Sequence, residues 1–130
     1  MTMRALHLLA ASVLLAACSS APVVLESDVP LPPGMSTVRS ADIKRAGGTV
    51  TGGTFLLAGE VVDARDTMST LAARFRDEGW IVLVRESGLD FAACVATKGG
   101  RSVEVRIDRR ALDPAMSSGL IVVKSTPRAG

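Results

Sequence analysis

The clearest pattern along the chain is helical. Met68, Leu71, Ala72 and Phe75 recur at i, i+3, i+4 and i+7, which predicts one apolar stripe, with Arg74, Arg76, Asp77 and Glu78 on the outer face. Asp66 is placed to cap the start of this helix, and Gly79 to end it in a left-handed conformation. Trp80 then falls just beyond the terminator and can fold back on Phe75, the apolar contact that often accompanies such an ending. Phe75, Gly79 and Trp80 are therefore candidate structural residues.

Around the helix the pattern is that of strands. Phe55 to Val62 is apolar on both faces apart from Glu60, and Gly47-Gly48 sets up a hairpin between Ala41–Arg45 and Thr49 onward. Trp80–Glu86 and Phe91–Lys98 are separated by Ser-Gly-Leu-Asp, and Gly99-Gly100 supplies a two-residue hairpin turn. Arg101–Asp108 alternates, with Val103, Val105 and Ile107 on one face and Ser102, Glu104, Arg106 and Asp108 on the other. After Asp113-Pro114, Leu120–Thr126 supplies a last strand. This order predicts an α+β fold: an antiparallel or mixed sheet of about four to six strands with one amphipathic helix packed on one face. Ile81, Val82, Leu83 and Val84 are apolar on both sides of their strand, and one helix cannot cover both faces of a sheet. The uncovered apolar surface is expected as a strip centred on the middle strands, with Val82 and Leu83 as the candidate contact face. Its cover would be the VPLPP segment, a second copy, or another protein.

The front of the chain has a different character. Met1–Arg4 is a short basic start, and Ala5–Ala17 (ALHLLAASVLLAA) is an apolar run of the length of a signal-peptide core, short of the roughly 20 residues that span a bilayer. Polar Ser19-Ser20 follows at once. Ser19 to Gly34 (SSAPVVLESDVPLPPG) carries four prolines and no period, and reads as an extended tether. Whether its VPLPP core is solvated or packs on the domain is open. The expected organisation is a signal peptide over 1–17, Cys18 and the tether over 18–35, one small domain over 36–126 and a polar tail over 127–130.

Charge and composition narrow the chemistry. Without Arg4, the one charged side chain of the leader, 14 basic groups face 13 acidic ones. Such a body gives no electrostatic reason to expect nucleic acid. Arg106, Arg109 and Arg110 cluster, but Glu104, Asp108 and Asp113 are interspersed. The only histidine is His7, in the leader, which removes Ser/His/Asp and Cys/His catalysis and every histidine-containing metal site from the mature part. Phe55, Phe75, Phe91 and Trp80 are the only aromatics, and a single tryptophan is no stacking platform. No phosphate-binding glycine loop and no metal-ligand spacing occurs, so no catalytic residue, cofactor or metal is assigned. Among the carboxylates Asp63, Asp66, Asp77, Glu78 and Asp90, a helix cap and a solvated helix face account for most, leaving a histidine-free small hydrolase as the third-ranked reading.

Leu15-Ala16-Ala17-Cys18 resembles the lipobox of bacterial lipoproteins. The resemblance implies cleavage between Ala17 and Cys18, a diacylglyceryl group on the Cys18 thiol and acylation of the new amino group. At about 0.8 kcal/mol per buried methylene, two or three chains anchor essentially permanently. Ser19 in place of Asp after that cysteine implies the outer membrane. A thioether at Cys18 would also leave Cys94 without a disulfide partner, as a small buried hydrophobe. The series DVPLPPGM, then Gly59 before the helix, then Gly79-Trp80, then Lys98-Gly99-Gly100 is similar to an uncharacterised family of small bacterial envelope lipoprotein domains, over Asp28 to about Ile107. The run from Gly59 through LAARFRDEGW is also similar to the peptidoglycan-binding SPOR repeat, without that repeat's glutamine-containing first strand or a clear second helix. The expected function is a non-catalytic interaction or structural module of the envelope, bound to membrane lipid through Cys18 and to an envelope protein or itself. Peptidoglycan binding is the alternative.

Overall fold

Among the described residues, the segments with an alternating or doubly apolar pattern become strands, and all of the long ones join one sheet. The computed structural model describes residues 24–26 and 28–126. In chain order these form β1 (Val24–Glu26), β2 (Val29–Pro30), β3 (Met35–Ala46), β4 (Thr49–Gly59), α1 (Ala64–Asp77), β5 (Ile81–Ser87), β6 (Phe91–Lys98), β7 (Arg101–Asp108), a 3-10 turn at Pro114–Met116, and β8 (Ser117–Ser125). The main sheet has six strands in the order β3-β4-β8-β7-β6-β5, each antiparallel to its neighbours, while β1 and β2 pair separately. The fold is α+β, with one helix packed against one face of this sheet.

Two tight turns set the register. Gly47-Gly48 joins β3 to β4, Gly99-Gly100 joins β6 to β7, and both pairs have positive φ, as two-residue hairpins of the favoured twist require. β8 then inserts between β4 and β7, so the chain order and the sheet order part company. Helix α1 spans the gap, carrying the chain from β4 to β5 at the far edge.

The core lies between this sheet and α1. Phe55 and Leu57 of β4, Ala92, Cys94 and Ala96 of β6, Val103, Val105 and Ile107 of β7, and Ile121 and Val123 of β8 are all buried. Met68, Leu71 and Phe75 meet them from the helix. The small side chains of β6 lie where the helix packs most closely, over β5 and β6. Gly79 has φ +88 and ends the helix as expected; Gly79 N–H donates to Arg76 O and Trp80 N–H to Phe75 O, both at 3.0 Å.

The structure corrects several boundaries. Asp63, not Asp66, caps the helix: its backbone is extended and its side chain accepts from Arg65 N–H at 2.9 Å, while Asp66 is exposed in the first turn. The apolar stripe begins one turn earlier than its bulky members suggest, because Ala64 is also buried. The strand expected over Phe55–Val62 is β4, ending at Gly59, beyond which Val61 N–H bonds Pro114 O instead of a ladder partner. Trp80–Glu86 is an edge strand, not a middle one, because β8 rather than β5 occupies the centre.

Residues 28–35, placed in the tether from their prolines, pack on the domain. Val29 and Pro32 are fully buried, Met35 is buried, and Leu31 packs against the core from its margin. Each fully buried residue of that size contributes about 1.5 to 3 kcal/mol. Gly34 and Gly59 make this path passable: a β-carbon on Gly59 would lie 2.0 Å from Gly34 O. The segment runs alongside α1, with Arg74 Nη1 donating to Leu31 O at 3.0 Å. It therefore completes the cover on the helix side and leaves the opposite face of the sheet open.

Candidate interaction surface

The open face follows from strand register. On it, Leu83, Val95, Glu104, Val122 and Thr54 form one row across β5, β6, β7, β8 and β4, and Glu86, Ala93, Arg106, Leu120 and Leu56 form the next. Apolar side chains thus occupy both flanks, with Glu104 and Arg106 between them on β7. Leu56 is 42% exposed and Leu83 59% exposed. A surface whose apolar strips are crossed by Glu104 and Arg106 and bordered by Glu86, Arg39, Asp108 and Lys124 suits contact with a polypeptide better than enclosure of a small molecule.

The two candidate contact residues fall on different sides. Val82 pairs with buried Ala96 and packs against the core, whereas Leu83 pairs with Val95 and faces away from the helix. Ile81, on the same side as Leu83, is 76% exposed. Phe75 and Trp80 form an edge-to-face pair with ring centroids 5.6 Å apart, beside the Gly79 turn, in agreement with their structural role.

A second constellation was not visible as such in the sequence. Asp28 accepts from Arg101 through both carboxylate oxygens, at 3.0 and 2.6 Å, and from Lys98 at 2.9 Å. Its backbone oxygen accepts from Trp80 Nε1 at 2.9 Å. Arg101 and Lys98 also stand over the Trp80 ring, 4.8 and 5.7 Å from its centroid. The guanidinium of Arg101 holds the Asp28 carboxyl well below the usual carboxylate range, helped by Lys98 and opposed by partial burial. The cluster latches the 28–34 segment to the β6–β7 turn, and joins the Asp-Val-Pro, Gly-Trp and Lys-Gly-Gly pieces of the sequence series at one end of the sheet.

The remaining chemistry-bearing residues are dispersed. Asp63 caps the helix and Asp90 pairs with Arg109 at 2.7 Å, while Asp66, Asp77 and Glu78 are exposed on or just after α1. Among the described residues no three metal-binding side chains gather. Cys94 lies on the covered face, 1% exposed, and burial pushes its thiol up to about 11. Ala17 and Cys18, the expected cleavage and lipid sites, lie outside the described residues. No helix among the described residues is long and apolar enough to cross a membrane. Compared with protein families, curated proteins and solved structures, the chain matches none.

Proposed function

We propose that this chain is a lipid-anchored, non-catalytic contact module of a bacterial envelope, which meets another protein with the open face of its sheet. The observation that carries the reading is the one-sided cover. Both α1 and the 28–34 segment lie on one face, and the other presents Leu56, Leu83, Leu120 and Val122 around Glu104 and Arg106. The anchor rests on the resemblance of Leu15–Cys18 to a lipobox, and the outer membrane on Ser19. The Asp28 latch holds the turn between β1 and β2 at the β6–β7 end. An anchor that enters through this hairpin, beside α1, would leave the open face unobstructed.

Leu56→Glu places a charge on the open face at a site that is already partly solvated. It should leave the unfolding free energy within about 0.5 kcal/mol of the parent's and abolish the adduct that a photoreactive residue on the open face forms with the partner in cells. Purified cell-wall sacculi should not retain the protein. Retention by sacculi that survives Leu56→Glu would replace this reading with glycan binding.

A further inference from the structure

The two edges of the sheet are treated differently. β3 is interrupted by register breaks between Thr37 and Arg39, Ala41 and Lys44, and Lys44 and Arg45, and it carries Arg39, Lys44 and Arg45. Bulges and cations are the usual means of preventing a further strand from pairing. β5 has its one break after Val84, so Ile81 to Val84 is a regular, uncharged edge. Beside it, on the helix side, runs a groove of about 230 Å3 lined by Arg65, Met68, Ser69, Ala72, Arg76 and Val84. Arg76 stands near the start of β5, because the chain turns there, and Arg65 near its end, where Ala64 N–H bonds Leu89 O. Arg65, Arg76 and the exposed Arg85 have no ion-pair partner among the described residues.

We propose that β5 accepts an extended acidic segment of a partner polypeptide as a seventh strand, with carboxylates directed to Arg65 and Arg76. This deepens the contact-module reading and rests on it. Backbone pairing would supply affinity and the groove would supply selectivity, as in other strand additions. Over eleven helical residues at about 1.5 Å each, Arg65 and Arg76 stand on the order of 16 Å apart. Residues i and i+4 of a strand, at about 3.4 Å per residue, span roughly 14 Å on one face. The expected segment therefore carries acidic residues at i and i+4, a small residue at i+2, and apolar residues at i+1 and i+3 over Ile81 and Leu83. A second copy of this chain is a poorer occupant, since pairing β5 with itself would set both sets of unpaired arginines along one seam.

The test uses the full-length chain in neutral detergent and a labelled peptide, acetyl-Ser-Glu-Val-Thr-Val-Glu-Ser-amide, with its Glu-to-Lys counterpart as control, read by fluorescence anisotropy. The acidic peptide should bind and the lysine peptide should not. Arg65→Glu with Arg76→Glu, both on the exposed helix surface, should weaken the acidic peptide by roughly tenfold or more and confer binding of the lysine peptide. Equal binding of the two peptides, binding of neither, or an affinity unchanged by the double reversal would overturn the proposal. A protein dimer whose β5 the peptide cannot displace would also overturn it, in favour of a second copy. Absent peptide binding alongside open-face crosslinks abolished by Leu56→Glu would sink the added strand and leave the contact module standing.

Discussion

Replacing Asp28 with Asn should loosen the N-terminal segment and destabilise the domain by about 2 kcal/mol. The Asp28 side chain is 19% exposed, and Arg101 and Lys98 are 12% and 35% exposed, so the cluster is partly shielded from solvent. Hydrogen bonds to charged groups contribute about 1.5 to 3 kcal/mol each. Asn keeps the shape and one acceptor oxygen, and Lys98 retains Glu78 O, so the loss is well short of the sum. The pH dependence has a definite sign. A carboxyl held below its ordinary value in the folded state stabilises fully above that ordinary value, about 3.9, and loses the contribution as pH falls through it toward the depressed folded value. The parent should therefore lose stability relative to Asp28→Asn below about pH 4. Urea titration followed by Trp80 emission reads this directly, since the only tryptophan sits on the latch. A variant within about 0.5 kcal/mol of the parent at neutral pH, or one with the same acid dependence, would refute the assignment.

Three other outcomes are expected. Gly79→Ala should lower stability by on the order of 1 kcal/mol through its left-handed φ alone, because the added carbon would meet only the end of Lys98 at 3.7 Å; a thermal melt decides. Cys94 should resist alkylation at pH 8 until denaturant is added, and rapid labelling of the folded chain would contradict its burial under α1. Cys18→Ser should remove metabolic labelling by an alkyne fatty acid, and label persisting in that variant would end the anchor proposal.

Local structure was legible where side-chain period and turn chemistry agreed. Phe91–Lys98 and Arg101–Asp108 have the bounds read from their flanking turns and, for the second, from alternation, because Gly99-Gly100 fixes where one stops and the other starts. The helix terminus was equally clear, since Gly79 and Trp80 act within one turn. The helix start was not, because Asp63 and Asp66 offer the same capping chemistry and Ala64 adds little to an apolar pattern. Sheet order was hidden for a different reason. β4 and β8 pair Phe55 with Ile121, a contact that no local window contains, and it moves Trp80–Glu86 from the expected centre to the edge.

The surface residues were less legible than the core. Alternation showed that β5 was apolar on both sides, yet only register separates Leu83, which faces out, from Val82, which packs inward. The latch joins Asp28 to residues 70 and 73 positions away, each unremarkable as a surface charge in sequence. Its one local sign was placement: Lys98 and Arg101 bracket a tight turn, and Asp28 precedes Val29-Pro30. The prolines of the N-terminal segment argued for an extended tether, whereas β1 and β2 pair antiparallel and Val29 and Pro32 are buried, because proline favours extended backbone without deciding what that backbone packs against.

The central claim, that the open face of the sheet makes the contact, is tested most directly by site-specific photocrosslinking in cells of the native host. A photoreactive residue is placed in turn at Leu56, Leu83 and Leu120 on the open face and at Ala73 on the exposed surface of α1. The account predicts one discrete protein adduct shared by the three open-face positions, absent at Ala73 and lost when Cys18→Ser removes the anchor. Adducts at Ala73 with none at Leu56, Leu83 and Leu120 would contradict it.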